Sequence, residues 1–495
     1  MTEISSPAGG MPGYLRRARS DSLVRNSFYL MASTIVTGCL GYVFWALAAH
    51  IFARAQVGLA SAVISLCTTA ALLTYLGSSA ILIERLPQAE RSSHWTRVLL
   101  RICLATAGVT ALAAVAAVFV LIRFAEYHLF FRTAAPTIVA VLGAATWTLV
   151  NLIGAAFIAA RRAGRLLAIQ GLISVAKVLL LLPVAALGVG ATRIVEAWVA
   201  SALLGLVFGV GWLLPRMGLG RRPGRSPRRS PSRAPHSRGS QYRNPRHRQP
   251  YAPPRADSVR HLMGQHLTSV GGAVTPLVLP ILVILRLGAT ENAYFYITWM
   301  LGLSFFMVSP SVATAVFAEG VRANSNLRAV VRKALRVIAA LLAPAILVMI
   351  IGGRLVLGLF GHAYATAGYE LLVLLAVSSI PDAVSNVAVA VFRVTDRLGY
   401  STTLNLGIFV GTLTASWILM PRLGIAGVGA AWLGMQVLGA VASFPAFASM
   451  QKRSATLTRV QPTGLEPAAD PGRGIELLMD LAELQSLDRL SGRLP

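Results

Sequence analysis

Apolar residues run along this chain in blocks of 20 or more, broken by short stretches that carry arginine, glycine and proline. A helix of that length crosses a hydrocarbon core about 30 Å thick. The pattern predicts twelve spans, at 27–52, 57–83, 98–122, 135–160, 166–188, 194–214, 262–287, 291–318, 334–360, 367–392, 400–420 and 424–447. The first begins near Ser27 and continues with no small-residue cleavage site after a short core, so it reads as a retained span and not as a signal peptide. The chain divides into a basic N-terminal segment (1–26), an N-lobe of six spans (27–214), a linker (215–261), a C-lobe of six spans (262–447) and a tail (448–495).

The halves repeat each other. An offset of 235 pairs Asn151 with Asn386, Ala155 with Ala390, Phe157 with Phe392, Arg162 with Arg397, Gly164 with Gly399 and Gln170 with Asn405. An offset of 234 pairs Trp198 with Trp432, each preceded by alanine. Each identity alone is weak; their agreement on nearly one offset is the signal. The predicted fold class is an all-α polytopic membrane protein, its twelve transmembrane helices forming two pseudo-symmetric six-helix lobes around a central cavity. Internal repeats of this kind place the substrate where the halves meet in many transporters.

Composition sharpens this reading. Of 495 residues, 55% are hydrophobic and only 13% charged, with mean hydropathy +0.66; a soluble chain carries about 25% charged residues. The net charge of +27 is first a topology signal. Between Arg216 and Arg260 stand 13 arginines and one acid, Asp257. The other even-numbered gaps between spans hold 14 Lys and Arg, against 7 in the odd-numbered gaps. The positive-inside rule puts both termini and the linker in the cytoplasm, with the spans crossing the inner membrane of the cell.

The linker, rich in Pro, Ser and Arg, has nothing with which to build a core and is expected to be disordered. It serves as a spacer or adheres to anionic membrane lipids, at about 1 kcal/mol per basic residue. Nucleic acid is not an expected partner, because only Tyr242 and Tyr251 offer rings for base stacking. In the tail, Leu477, Leu481, Leu484 and Leu487 alternate with Glu476, Asp480, Glu483 and Asp488 in an acidic amphipathic helix. Its sign argues against an anionic membrane surface; it could dock on the basic linker, dock on a partner, or stay idle.

No GxxxxGK[ST] loop, HExxH or paired cysteine is present, so no cofactor or metal is expected and the chain reads as no enzyme. Cys39, Cys67 and Cys103 fall inside spans as small apolar residues. The eight histidines are scattered, His266 lying near an interface. The polar residues deep in the spans carry the functional expectations, since charge there costs about 2.5–3.5 kcal/mol on insertion scales. Lys177 stands mid-span in LISVAKVLLLLPVAAL, with Gln170 two turns earlier on nearly the same face. It either holds an anionic headgroup or packs against helix carbonyls. Asp382 follows Pro381, with Asn386 one turn later. It either couples to protons or cations, or satisfies hydrogen bonds at a kink. Asn151, Gln170, Asn386 and Asn405 either glue helices together or line a path.

The segments LVRNSFYLMASTIVTGCLGYVFWALAAHIFARAQVGLASAVIS (23–65), PRLGIAGVGAAW (421–432), FRVTDRLGY (392–400) and FIAARRAGR (157–165) together resemble bacterial polysaccharide and O-antigen flippases, of the superfamily of multidrug, oligosaccharidyl-lipid and polysaccharide exporters. The resemblance implies two six-helix lobes, alternating access and an undecaprenyl-linked glycan as substrate. Basic residues in the cavity of such proteins suit Lys177 against a pyrophosphate. Lys177, Gln170, Asn151, Asn386 and Asn405 are the expected substrate-binding residues and Asp382 the expected ion-coupling residue. Glycosyltransferases or a polymerase are candidate partners, and a monomer is expected. Two rivals stand: a multidrug exporter, although 27–52 lacks the acid such pumps commonly carry in the first span, and a non-transporting scaffold for glycan synthesis.

Overall fold

The computed structural model describes residues 22–89, 95–188, 190–213, 273–320, 327–395 and 398–444. The linker, His266, Arg397, the tail in which an acidic helix is expected, and residues 1–21 lie outside the described residues.

Among the described residues every regular element is helical. With no water in hydrocarbon to satisfy the backbone, long Leu-, Ala- and Val-rich runs close their hydrogen bonds within the segment. The N-lobe contains α1 (Ser22–Ile51), α2 (Arg54–Ala89), α3 (Trp95–Leu121), the short α4 (Ala125–Phe130), α5 (Ala134–Ala159), α6 (Ala163–Ala186) and α7 (Ala191–Phe208), which ends in a π turn at Gly209–Leu213. The C-lobe contains α8 (Ala273–Leu287), α9 (Ala289–Leu303), α10 (Val308–Gly320), α11 (Leu327–Gly358), α12 (His362–Val394), α13 (Leu398–Leu423) and α14 (Ala426–Ala442). A 3-10 turn at Phe305–Met307 joins α9 to α10, so the eighth predicted span is broken in two.

Ten of these stretches are long and apolar enough to cross a membrane; the shorter apolar α8 and α14 complete the twelve spans. The outer faces confirm the solvent they are made for. Leu112, Ile351 and Leu355 are each more than 70% exposed, as side chains facing hydrocarbon should be. The two lobes pack by one scheme. In the first, α2 packs on α3 and α5, α3 on α5, and α7 on α5 and α6. In the second, α10 packs on α11 and α12, α11 on α12, and α14 on α12 and α13. These are the same contacts at equivalent places in the repeat.

The lobes meet where α2 and α9 begin. Asn292 Nδ2 donates to the Gly58 carbonyl at 2.7 Å and to Ser61 Oγ at 3.1 Å. Gly58 and Asn292 are separated by 234 residues, so equivalent positions touch across the pseudo-twofold axis. A Cβ at Gly58 would overlap the Ala289 carbonyl oxygen, which is why glycine stands there. Gly288, at φ 91°, turns α8 into α9 within one residue. Trp45 packs edge-on against Tyr296 at 4.8 Å, and the Tyr42 hydroxyl reaches the Met300 carbonyl at 3.4 Å. Burial then falls away along both helices. Residues 57–71 are almost all buried and 72–79 are not; 292–302 are largely buried, whereas 303–311 are mixed. The lobes therefore touch at the face of the odd-numbered gaps and part toward the face of the even-numbered ones.

Candidate functional site

The C-lobe holds a cavity of about 480 Å³ inside its own bundle. Its ionisable and amide side chains come from three helices. α12 supplies Asp382, Asn386 and Arg393, α13 supplies Asn405, and α14 supplies Trp432 and Gln436. Asp382 and Asn386 are one turn apart, so both point to the same side, and Arg393 lies two turns beyond Asn386. Pro381 removes one backbone donor immediately before Asp382 and loosens the turn there.

Asp382 is 8% exposed, a depth at which a carboxyl needs partners. Ser309 on α10 donates to its Oδ2 at 2.6 Å. Asn386 Nδ2 donates to the Asp382 carbonyl at 3.0 Å and to Ser309 Oγ at 3.1 Å. The break at 305–307 sets Ser309 at the start of α10, facing α12. Carboxylate, hydroxyl and amide thus form one connected group on the cavity wall. Such a group can exchange a proton or contact a small cation, and the neighbouring amides can pair with hydroxyls. Gln436 is 4% exposed and its Oε1 has no hydrogen-bond partner among the described residues; the same holds for Trp432 Nε1.

The N-lobe treats the equivalent place differently. Asn151 donates to the Trp147 carbonyl at 2.7 Å, the counterpart of the Asn386–Asp382 bond. Trp147 occupies the position equivalent to Asp382 and packs on Trp198 at 5.3 Å. Ala202 stands where Gln436 does. Instead of a carboxyl group, this lobe carries a hydroxyl ladder, with Thr74 to Thr110 at 2.6 Å and Thr110 to Thr148 at 3.0 Å, tying α2, α3 and α5 together.

The structure therefore brings Asp382, Asn386 and Asn405 together, and does not bring Lys177, Gln170 or Asn151 to the same cavity. Asn151 and Gln170 are half-buried. Lys177 is also half-buried, and its Nζ lies 5.7 Å from the centre of the Phe44 ring on α1, so it faces a neighbouring helix. Gly41, one turn before Phe44, lies beside the ammonium group: a Cβ there would be in ordinary contact with Nζ at 3.8 Å. Sequence reasoning missed Arg393, Trp432 and Gln436 as cavity residues, and Ser309 as the partner of Asp382. Gln436 could have been found by the rule applied to Asn405, since it is an amide within an apolar span. Arg393 was counted only as a topological charge. Among the described residues no group of three His, Cys, Asp or Glu side chains gathers as a metal site. Cys67 and Cys103 are buried and Cys39 is exposed, all three as free thiols.

No protein-family model matches the chain, and no curated protein sequence matches it. Solved structures do. The lipid II flippase MurJ, in an inward closed conformation, is similar with TM-score 0.61 at 10% identity, over 89% of this chain and 94% of that one. An inward-facing multidrug resistance transporter of the MATE family and MOP superfamily is similar with TM-score 0.57 at 16% identity, over 89% of this chain and all of that one. A MOP superfamily transporter from Pyrococcus furiosus, described by a reversed polarity of its binding pocket, is similar with TM-score 0.55 at 16% identity, over 91% of this chain and all of that one. At these identities the likeness is one of fold: the chain has the two-lobed helical architecture of MOP superfamily transporters.

Proposed function

We propose that this protein is a flippase that moves an undecaprenyl-linked oligosaccharide, a precursor of a cell-envelope glycan, across the cytoplasmic membrane by alternating access. The observation that carries the reading is the polar cavity of the C-lobe. A carboxyl and three amides line a cavity of about 480 Å³ in a bundle whose outer faces are apolar, and the exposed Arg393 lines it as well. Amides suit sugar hydroxyls, and an arginine suits phosphate. The cleft between the lobes supports the same reading. It parts toward the even-gap face, which the charge pattern assigns to the cytoplasm, where a lipid-linked precursor would enter. The fold likeness to the lipid II flippase is in accord.

In this mechanism Asn386 and Asn405 bind the glycan and Asp382, held by Ser309, couples movement of the lobes to a proton or cation. Lys177, with Gln170 and Asn151, is the N-lobe's contribution to holding the anionic headgroup once the lobes rearrange. The linker 215–261 adheres to anionic lipids, both termini lie in the cytoplasm, the unit is a monomer, and glycosyltransferases or a polymerase hand over the substrate.

The test is a flipping assay with the full chain in vesicles, using a fluorescent undecaprenyl-diphosphate oligosaccharide whose label is quenched from outside. Wild-type protein should flip it, and the flipping should respond to an imposed proton or sodium gradient. A second reading, a cation-coupled multidrug exporter, is favoured by Asp382, whose charge would suit a cationic drug, and by the fold likeness to a multidrug transporter. Against it, the first span, Ser22–Ile51, contains no acid. Drug resistance in a pump-deleted host, with no flipping in vesicles, would establish the second reading over the first.

A further inference from the structure

α11 is longer than a membrane requires. Its 32 residues span about 48 Å, against a hydrocarbon core of about 30 Å. The excess lies at its start. From Val337 onward the exposed face is apolar, with Leu341, Leu347, Ile351 and Leu355 each more than half exposed. Over 327–336 the exposed side chains include Arg328, Arg332, Lys333 and Arg336, whereas Leu327, Val331 and Ala334 turn inward and are buried. Arg328, Arg332 and Arg336 follow at four-residue spacing and form one stripe. α11 contains no acid, and none of the four cations forms an ion pair among the described residues. The matching helix of the N-lobe shows how much of this charge belongs to the repeat. Arg97 and Arg101 on α3 stand at the positions equivalent to Arg332 and Arg336, and both are exposed. Arg328 and Lys333 are added in the C-lobe alone, since Ser93 and Val98 are their counterparts. Arg328 lies about 14 Å outside the hydrocarbon boundary at Val337, past a headgroup layer about 5–8 Å deep, so lipid phosphate does not account for it.

We infer that the basic stripe at the start of α11 is the docking surface for the acidic segment 474–488 of this same chain. That segment holds Glu476, Asp480, Glu483 and Asp488 and no Lys or Arg. As a helix it puts Glu476, Asp480 and Glu483 on one face over about 10 Å, against about 12 Å from Arg328 to Arg336. The chain can bring the two together. Four crossings, α11 to α14, return it to the face of the membrane where α11 begins. α12 packs on both α11 and α14, so the stripe lies two helix spacings, about 20 Å, from the helix that the tail follows. Residues 445–475 reach about 30 Å as a flexible chain. This tether gives the segment a high effective concentration at the stripe. The basic linker competes for the same acids, but pairing with it orders two segments at once, whereas the stripe is already fixed on a rigid helix.

The photocrosslinker p-benzoylphenylalanine in place of Met479, beside the three acids on the helical wheel, tests this on the full-length protein in phosphatidylcholine vesicles. Irradiation and peptide mapping should place the crosslink within 327–337 of the same chain. Arg328→Glu combined with Lys333→Glu should cut that product at least about fivefold, because like charges then face each other. Adding Glu476→Lys and Asp480→Lys to that variant should restore it. A crosslink within 215–261 assigns the segment to the linker, one to lipid assigns it to the membrane surface, and one to a second copy makes it an intermolecular contact; each overturns the inference, as does the lack of any crosslink. A product within 327–337 that ignores the charge reversal also overturns it, since it marks proximity without pairing.

Discussion

A carboxyl placed as deep as Asp382 survives in the fold because its neighbours were chosen around it. Ser309 supplies a charge-assisted hydrogen bond of the kind that contributes about 1.5–3 kcal/mol. Removing it by Ser309→Ala should reduce gradient-driven flipping about threefold to tenfold, and a gradient-free exchange assay should change less. Asp382→Asn keeps the shape and removes the ionisable group. Flipping by this variant should ignore proton and sodium gradients, and a gradient response equal to wild type would remove Asp382 from the coupling. At Lys177 the question is whether the ammonium against Phe44 does more than pack. Lys177→Gln should lower glycan export at least about tenfold with the protein at normal level in the membrane, as measured by immunoblot. Of these side chains, Lys177 and Asp382 were legible from sequence because ionisable groups are rare in mid-span. Ser309 was not, because a serine in a span is common, and only the turn at 305–307 aims this one at α12.

Among the elements, α2 and α9 matter most, since the lobes touch along their first halves. Gly58 was part of the VGLAS stretch that carried a family resemblance, and the structure supplies its physical reason: any side chain there would strike the backbone of α9. Gly58→Leu should therefore hold the odd-gap face open. The check is a cysteine at Asn405 in a Cys39→Ser background, probed from outside sealed cells with a membrane-impermeant maleimide. Labelling should rise on adding Gly58→Leu, and unchanged labelling would show that this contact does not close the outer path. The helix pattern itself was readable, because twelve apolar blocks leave the backbone no alternative. The break in the eighth span was not, since SFFMVSP reads as one apolar run with a late proline.

For the whole molecule, the repeat offset of about 235 anticipated two lobes of one packing scheme, and the helix contacts repeat accordingly. The offset did not anticipate that the lobes would diverge in chemistry. Trp147 and Ala202 stand in one lobe where Asp382 and Gln436 stand in the other. Deleting the basic linker separates transport from scaffolding. Removing 215–258 should leave flipping in neutral vesicles near wild type and weaken association with anionic vesicles, read by flotation. Loss of function from that deletion combined with silence of Asp382→Asn and Asn386→Ala would favour a scaffold.

Sequence alone determined what is set by composition and period: a membrane protein, twelve spans, two related halves, and the rare polar residues that had to be accounted for. Those follow from transfer free energy, which each residue carries with it wherever it lies. Tertiary structure decided which of those residues share a space. Asp382, Asn386 and Asn405 converge with Arg393 and Gln436, whereas Lys177, Gln170 and Asn151 stay in the other lobe. That outcome depends on how helices rotate about their axes and where they break, and packing between distant segments fixes both.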